Sequence, residues 1–408
     1  MISITDLKKQ IGEAYKKACE STDTKVNKAL VRFFEEGDPG KQRLNLIFRG
    51  NHKLNFSSRL SDADIILLCN VLEPYVEHIA HIDFSYNLIT DHGASSLAKL
   101  IAQIPKLESL NLQGNSIEID GAKDLASAIK DNTTLEYINL NNNQIQTDGV
   151  LQLIHILFVN KNLKELHIAD NKINHDGISG IMSVLGWHNN TLEVLNIDNA
   201  HYDSIGQEIA IHIAKMLQSN QGLEKLSLRK HSLNSEGLYI ITEHLLDNNR
   251  LRILDLSCNK LNFKGCEALG KFLLGENCVL ESLNLANNRT GHYGAKAMAL
   301  ALSKNRTLIH LDMTTNDIDD DGLRMLGECL YENTNLVSLK LYWNHFGQSS
   351  LRVFHDLRYN YKREEDINVL YYFDFDTYEV DGQLQMCYVD NEIPYDVKVA
   401  RPYYIEDI

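Results

Sequence analysis

Residues 107–134 read LESLNLQGNSIEIDGAKDLASAIKDNTT. In the first half, Leu107, Leu110, Leu112, Asn115 and Ile117 stand in the spacing LxxLxLxxNxI. Leu110 and Leu112 are two apart, the period of a strand that buries one face. In the second half, Ala122, Leu125, Ala126 and Ile129 follow Gly121 at the three- and four-residue intervals of an amphipathic helix. The stretch predicts a short strand, a turn at the asparagine and a helix.

The pattern returns with its first apolar residue at Ile79, Leu107, Leu135, Leu163, Leu192, Leu223, Leu251, Leu280, Leu308 and Leu336. Successive intervals of 28, 28, 28, 29, 31, 28, 29, 28 and 28 residues are too regular for chance and define a leucine-rich repeat. One such unit buries too little apolar surface to be stable, whereas stacked units share a continuous core. Helices are about 10 Å wide and neighbouring strands about 4.8 Å apart. The expected fold is therefore an α/β leucine-rich repeat solenoid, a horseshoe with parallel strands on the concave face and helices outside.

Three segments follow from this. Residues 1–43 form a helical N-terminal cap, with one helix capped by Ser3–Asp6 and running through Cys19, and a second from about Thr24 to Glu36. Residues 44–357 hold one degenerate repeat, with a helix over Asp62–Val76, and then ten regular ones. Residues 358–408 carry twelve acidic and five basic residues and nine of the eighteen tyrosines. Within them Thr377–Val380, Asp381-Gly382 and Gln383–Val389 read as a β-hairpin with a type I′ turn, which caps the last repeat or docks a partner.

The net charge of -15 argues against nucleic acid as a direct ligand, because phosphate contacts need a basic surface. The first nineteen residues lack an apolar signal core, and no stretch has the roughly 20 apolar residues of a membrane span. An intracellular monomer that contacts no membrane is expected. Seven scattered cysteines include no CxxC pair, and Cys266 and Cys329 fall on apolar helix positions, so neither zinc nor another cofactor is expected. Nucleotide-binding and hydrolase motifs are missing, and the chain reads as non-catalytic.

The turn asparagines are Asn87, Asn115, Asn143, Asn171, Asn259, Asn288, Asn316 and Asn344, interrupted by Ala200 and His231 in two successive repeats. Asparagine at this turn bonds backbone groups that stacking buries. The break is either a change of curvature or a bulged loop, Asp198–Ile205, offered to a partner. Between the two apolar residues of each strand, the outward position reads Asp83, Asn111, Asn139, His167, Asn196, Ser227, Asp255, Asn284, Asp312 and Lys340. Beside this polar row lie Tyr86, the cationic group Arg229, Lys230 and His231, and the aromatic pair Tyr342 and Trp343. Aromatic residues and arginine anchor protein interfaces. The candidate protein-binding residues are Tyr86, His167, Asp198, Arg229, Lys230, His231, Asp255, Tyr342 and Trp343, with acidic segments of other proteins as partners of the cationic group. Trp343 has the alternative of packing under the hairpin.

From about residue 44 to 392 the chain resembles an intracellular member of the ribonuclease-inhibitor-like leucine-rich repeat family. The resemblance rests on YNLITDHGASSLAKLI from Tyr86, on Lys230-His231 in place of the asparagine, and on Val380-Asp381-Gly382 following Leu341-Tyr342-Trp343-Asn344. It implies a non-enzymatic interaction protein of the nucleus, nucleolus and cytoplasm. Nucleolar protein partners and a role in ribosome biogenesis or germ-line and stem-cell regulation come with it. Two alternatives stay open: a ciliary or cytoskeletal adaptor, and an activator of small GTPases that presents Arg229 to a nucleotide-bound partner.

Overall fold

The computed structural model describes residues 3–37, 42–200, 207–360 and 372–389. The chain divides into two compact units, Met1–His201 and Tyr202–Ile408. In the first, helices α1 (Ile4–Ser21) and α2 (Lys28–Glu35) precede strand β1 (Leu44–Ile47) and helix α3 (Asp62–Leu72). Then follow β2 (Ile79–Asp83), α4 (Asp91–Ile101), β3 (Ser109–Asn111), α5 (Ile119–Ile129), β4 (Tyr137–Asn139), α6 (Gln146–Val159), β5 (Glu165–His167), α7 (His175–Trp187) and β6 (Val194–Asn196). The second unit holds α8 (Gln207–Ser219), β7 (Lys225–Ser227), α9 (Ser235–Leu245), β8 (Ile253–Asp255), α10 (Phe263–Leu273), β9 (Ser282–Asn284) and α11 (Gly291–Leu302). It continues with β10 (His310–Asp312), α12 (Asp320–Glu328), β11 (Ser338–Lys340), α13 (Gln348–Tyr359), β12 (Tyr372–Phe373), β13 (Phe375–Val380) and β14 (Gln383–Tyr388). In each unit the repeat strands pair in parallel with their sequence neighbours, so both are leucine-rich repeat solenoids.

The pairing sets like residues of successive repeats side by side: Leu110 lies against Ile138, and Leu254 against Leu283. These residues and the helix stripe are buried, as at Leu112, Ala122, Leu125 and Ile129. Gly121 stands in the first turn of α5, where no larger residue fits. A Cβ there would come within 2.5 Å of Asp91 Oδ1 and 2.8 Å of Ile117 Cγ2. That carboxylate accepts the Glu118 amide at 2.7 Å, so an acid at one helix start holds the next repeat. Asp320 acts in the same way, accepting the Gly347 and Ser350 amides at 2.8 Å, while Asp319 caps its own helix through Gly322 at 2.8 Å.

The turn asparagines bond as their position predicts. The Asn143 side chain donates to the Leu112 and Leu140 carbonyls, both at 3.0 Å, and accepts the Ile117 amide at 3.0 Å. Where His231 replaces asparagine, Asn259 Oδ1 takes the His231 and Leu233 amides, both at 3.0 Å. Each unit also has a second ladder, a set of turn asparagines between a helix and the next strand. Asn160, Asn189, Asn220, Asn248, Asn305 and Asn333 are all buried, each three residues before a repeat leucine. Asn189, for example, donates to the Leu157 carbonyl at 2.8 Å and accepts the Leu192 amide at 3.0 Å. This ladder persists through both repeats that lack the first one.

The ends differ in detail from expectation. Helix α2 begins at Lys28 rather than near Thr24, because Asn27 caps it by accepting the Ala29 and Leu30 amides. The helix over Asp62–Val76 closes at Leu72, and Glu73–His78, with Pro74 in its first turn, tightens into a 3-10 helix. Asp381 and Gly382, at φ 53° and 76°, form the expected hairpin turn. Residues 361–371 lie outside the described residues; after them β12 adds one more parallel strand beside β11. Residues 201–206, which include most of the expected Asp198–Ile205 bulge, and residues 390–408 also lie outside the described residues. Among the described residues, no helix is long and apolar enough to cross a membrane. Burial pushes the thiols of Cys69, Cys266 and Cys329 up to about 12, as befits apolar packing groups.

Candidate protein-binding surfaces

The polar row on the strands has a structural explanation. Asp83, Asn111, Asn139 and Asn196 each accept the amide two residues on, at 3.0–3.1 Å. In the second unit, Asp255, Asn284 and Asp312 do the same at 2.8–2.9 Å. An Asn or Asp here closes the turn after the strand. The row's mild acidity therefore arises partly from turn chemistry, and binding has to be sought in residues this bond does not explain.

In the first unit the predicted residues stand apart. Tyr86, at φ 57°, lays its ring over Gly114, where a Cβ would meet the ring at 2.6 Å; its hydroxyl accepts from Gln113 at 2.8 Å. Burial, then the nearby Asp83 carboxylate, raises its hydroxyl pKa. His167 is buried, with its ring 5.3 Å from Tyr137, so it fills the strand face rather than offering a free imidazole. Asp198 follows β6 and donates its amide to Asn196. A pair not singled out from the sequence is Arg49 with Asp83, Nε to Oδ2 at 2.7 Å.

In the second unit Arg229 and Lys230 are exposed just after β7, and Lys230 takes φ 57° at the turn. His231 is buried, which separates it from the cationic pair as a surface group. Asp255 uses its second oxygen to accept from Asn284 at 3.0 Å. Tyr342 and Trp343 do come together, with ring centroids 5.2 Å apart. Tyr342 packs on Tyr388 of the hairpin at 4.9 Å, whereas Trp343 remains 72% exposed and does not pack under the hairpin.

Sequence reasoning missed Asp374, which organises this end. Its carboxylate accepts the Leu341 amide at 2.8 Å and the Tyr342 amide at 3.1–3.2 Å, and Thr314 Oγ1 lies 3.4 Å away. The Thr314 hydroxyl donates to Asp312 at 2.6 Å. Burial pushes both carboxyls above the ordinary aspartate range. His310, two residues before Asp312, is held at about pKa 4 by burial and then by Lys340, and its Nε2 has no hydrogen-bond partner among the described residues. The acid-rich composition after 358 was the sequence signal for Asp374, but twelve acids shared it.

By fold and strand face each unit is a leucine-rich repeat α/β solenoid. Residues 103–126, 247–270 and 304–327 match a family model described as "Leucine Rich repeat", and residues 117–235 match "TMOD/LMOD Leucine-rich domain". Similar curated proteins include leucine-rich repeat-containing protein 45 of Gallus gallus, 29% identical over 25% of this chain and 19% of that one. Leucine-rich repeat-containing protein 34 of Homo sapiens is 32% identical over 17% of this chain and 15% of that one. The matches thus span less than a fifth of these relatives, a narrower likeness than the span 44–392 read from the sequence. Among solved structures, the yeast Rad7 and Elc1 complex covers 83% of this chain and 89% of that one at 15% identity and TM-score 0.42. Leiomodin-1 actin-binding site 2 covers 37% and 86% at 24% identity and TM-score 0.33.

Proposed function

We propose that this chain is a non-catalytic protein-binding scaffold. The observation that carries the reading is the ring group Tyr342, Trp343 and Tyr388 on the surface of the second unit, beside a strand face whose Asn and Asp residues are used in turns. Large exposed rings beside a rigid element are typical anchors of protein interfaces. Arg229 and Lys230 form a separate cationic patch suited to acidic segments. The proposal includes a nuclear, nucleolar and cytoplasmic setting, with ribosome biogenesis or germ-line and stem-cell regulation as the process, as the family resemblance of the sequence implies. The test is proximity labelling in cells, followed by reconstitution with the purified partner. Arg229→Glu with Lys230→Glu is expected to weaken an acidic partner at low salt and leave the melting temperature unchanged. Full binding by that variant would remove the cationic patch from the reading.

A second reading, a cytoskeletal adaptor, is favoured by the match of residues 117–235 to the tropomodulin and leiomodin leucine-rich domain. Co-sedimentation of the purified chain with actin filaments tests it, and a chain that stays in the supernatant at micromolar actin discards it.

A further inference from the structure

The C-terminal end of the second unit holds two features side by side. Tyr342, Trp343 and Tyr388 form one ring cluster, with centroids 4.9 and 5.2 Å from the Tyr342 ring; Trp343 is 72% and Tyr388 55% exposed. Asp312 and Asp374 form one carboxylate pair bridged by the Thr314 hydroxyl. The Tyr342 amide joins the two, since it donates to Asp374 at 3.1 Å. The donors around these acids are amides and a hydroxyl. Among the described residues neither acid makes an ion pair and no cation lies over the three rings; the exposed Lys340, in register with Asp312 on the neighbouring strand, is the cation whose charge reaches that acid, and Asp374 has none.

We propose that this end binds a lysine- or arginine-rich segment of another protein, its cationic groups over the Trp343 and Tyr388 rings and toward the Asp312 and Asp374 carboxylates. The proposal rests on the scaffold reading and names the partner chemistry of this surface. A cation is drawn to the face of an aromatic ring and to a partly desolvated carboxylate. The acids are also held above their ordinary pKa range by burial, a cost that an incoming cation offsets. A neutral apolar partner would leave these acids covered and unpaired. A second copy of this chain is disfavoured, because two chains of net charge -15 repel each other.

The experiment is calorimetric titration of the full chain with heptaarginine and heptalysine at low salt, with heptaglutamate as the opposite-charge probe. Three proteins are compared: the parent, Asp312→Asn with Trp343→Ala, and a control, Glu118→Gln with Asp120→Asn, which removes two exposed acids from the first unit. The expected result is parent-like binding by the control and at least tenfold weaker binding by the site variant. Thermal melting establishes that the variant is folded, and Trp343→Phe, which keeps a ring, should recover part of the affinity. Equal loss in control and site variants would reduce the effect to net charge and overturn the proposal, as would unchanged binding by a folded site variant. A parent dimer in sedimentation that the site variant abolishes would assign the surface to a second copy instead. If only the cationic peptides fail while a reconstituted partner still binds, this inference falls and the scaffold reading stands.

Discussion

The two ends of the molecule close their cores in different ways. At the N-terminal end α1 and α2 bury Ile11, Tyr15, Leu30 and Phe34, and the Tyr15 hydroxyl reaches Asp64 of the first repeat at 3.0 Å. The aromatic faces there are already served from within the chain: Lys8 lies 4.3 Å over Phe33, and Arg59 lies 5.3 Å over Phe56. At the C-terminal end Phe354, Phe373 and Phe375 make the core, with centroids 5.2–5.3 Å apart, and Asp374 ties the hairpin to β11. The outer rings of that end, Tyr342, Trp343 and Tyr388, have no such cation among the described residues. Both ends seal a stack of repeats, but among the described residues the second adds exposed rings that carry no cation and carboxylates that make no ion pair, with Lys340 on the neighbouring strand as the charge that reaches Asp312. A cap that buries all its rings only excludes water; one that leaves rings in water beside hydrogen-bonded carboxylates can also take a ligand.

The largest effects test the sealing role common to both. Phe34→Ala and Phe354→Ala each empty a fully buried site and should cost about 3–5 kcal/mol in denaturant unfolding. A cost below about 1 kcal/mol at one end would make that end an accessory rather than part of the core. The repeats supply an internal scale. Asn143→Ala removes four side-chain bonds and should cost about 1–3 kcal/mol, because it leaves buried backbone groups unpaired. An unchanged midpoint would remove the ladder argument, and a larger cost than that of Phe34→Ala would reverse the rank of cap and ladder.

The smallest effect separates the strand faces near the two ends. His310 titrates at about 4 in the folded chain, against about 6.5 for an unfolded histidine. A folded pKa below the unfolded one gives stability that is present above pH 6.5 and lost as pH falls through 4. Between pH 7 and 4.5 the parent should therefore lose about 2 kcal/mol that His310→Gln does not lose. His81 near the other end bonds Ser109 at 2.9 Å, and His81→Gln serves as the comparison. Equal acid sensitivity of the parent and His310→Gln would show that His310 does not drive the difference.

Much of the fold was legible because the repeat is a local code read many times. The strand pair Leu110 and Leu112, the helix stripe after Gly121 and the turn asparagines each follow from spacing alone. The second ladder was equally legible, as Asn-x-x-Leu before Leu163, Leu192, Leu223, Leu251, Leu308 and Leu336. Its signal is ambiguous, because asparagine near a helix end also serves as an ordinary cap. The candidate sites were less legible. Tyr342 and Trp343 stood out by residue type, whereas His167 and His231 looked like surface groups and are buried.

By itself the sequence determined the repeat, its parallel order, the helical start and the hairpin turn at Asp381-Gly382. Those features depend on residues within one or two turns of each other, or on a period that repeats. Only the tertiary structure decided that Tyr372–Phe373 pairs with Ser338–Leu339, that Asp374 bonds the Leu341 and Tyr342 amides, and that Tyr342 rests on Tyr388. Those contacts join residues more than thirty positions apart with no period to announce them. Burial then acts on what they bring together, raising the pKa of Asp312 and Asp374 and leaving the Trp343 ring in water.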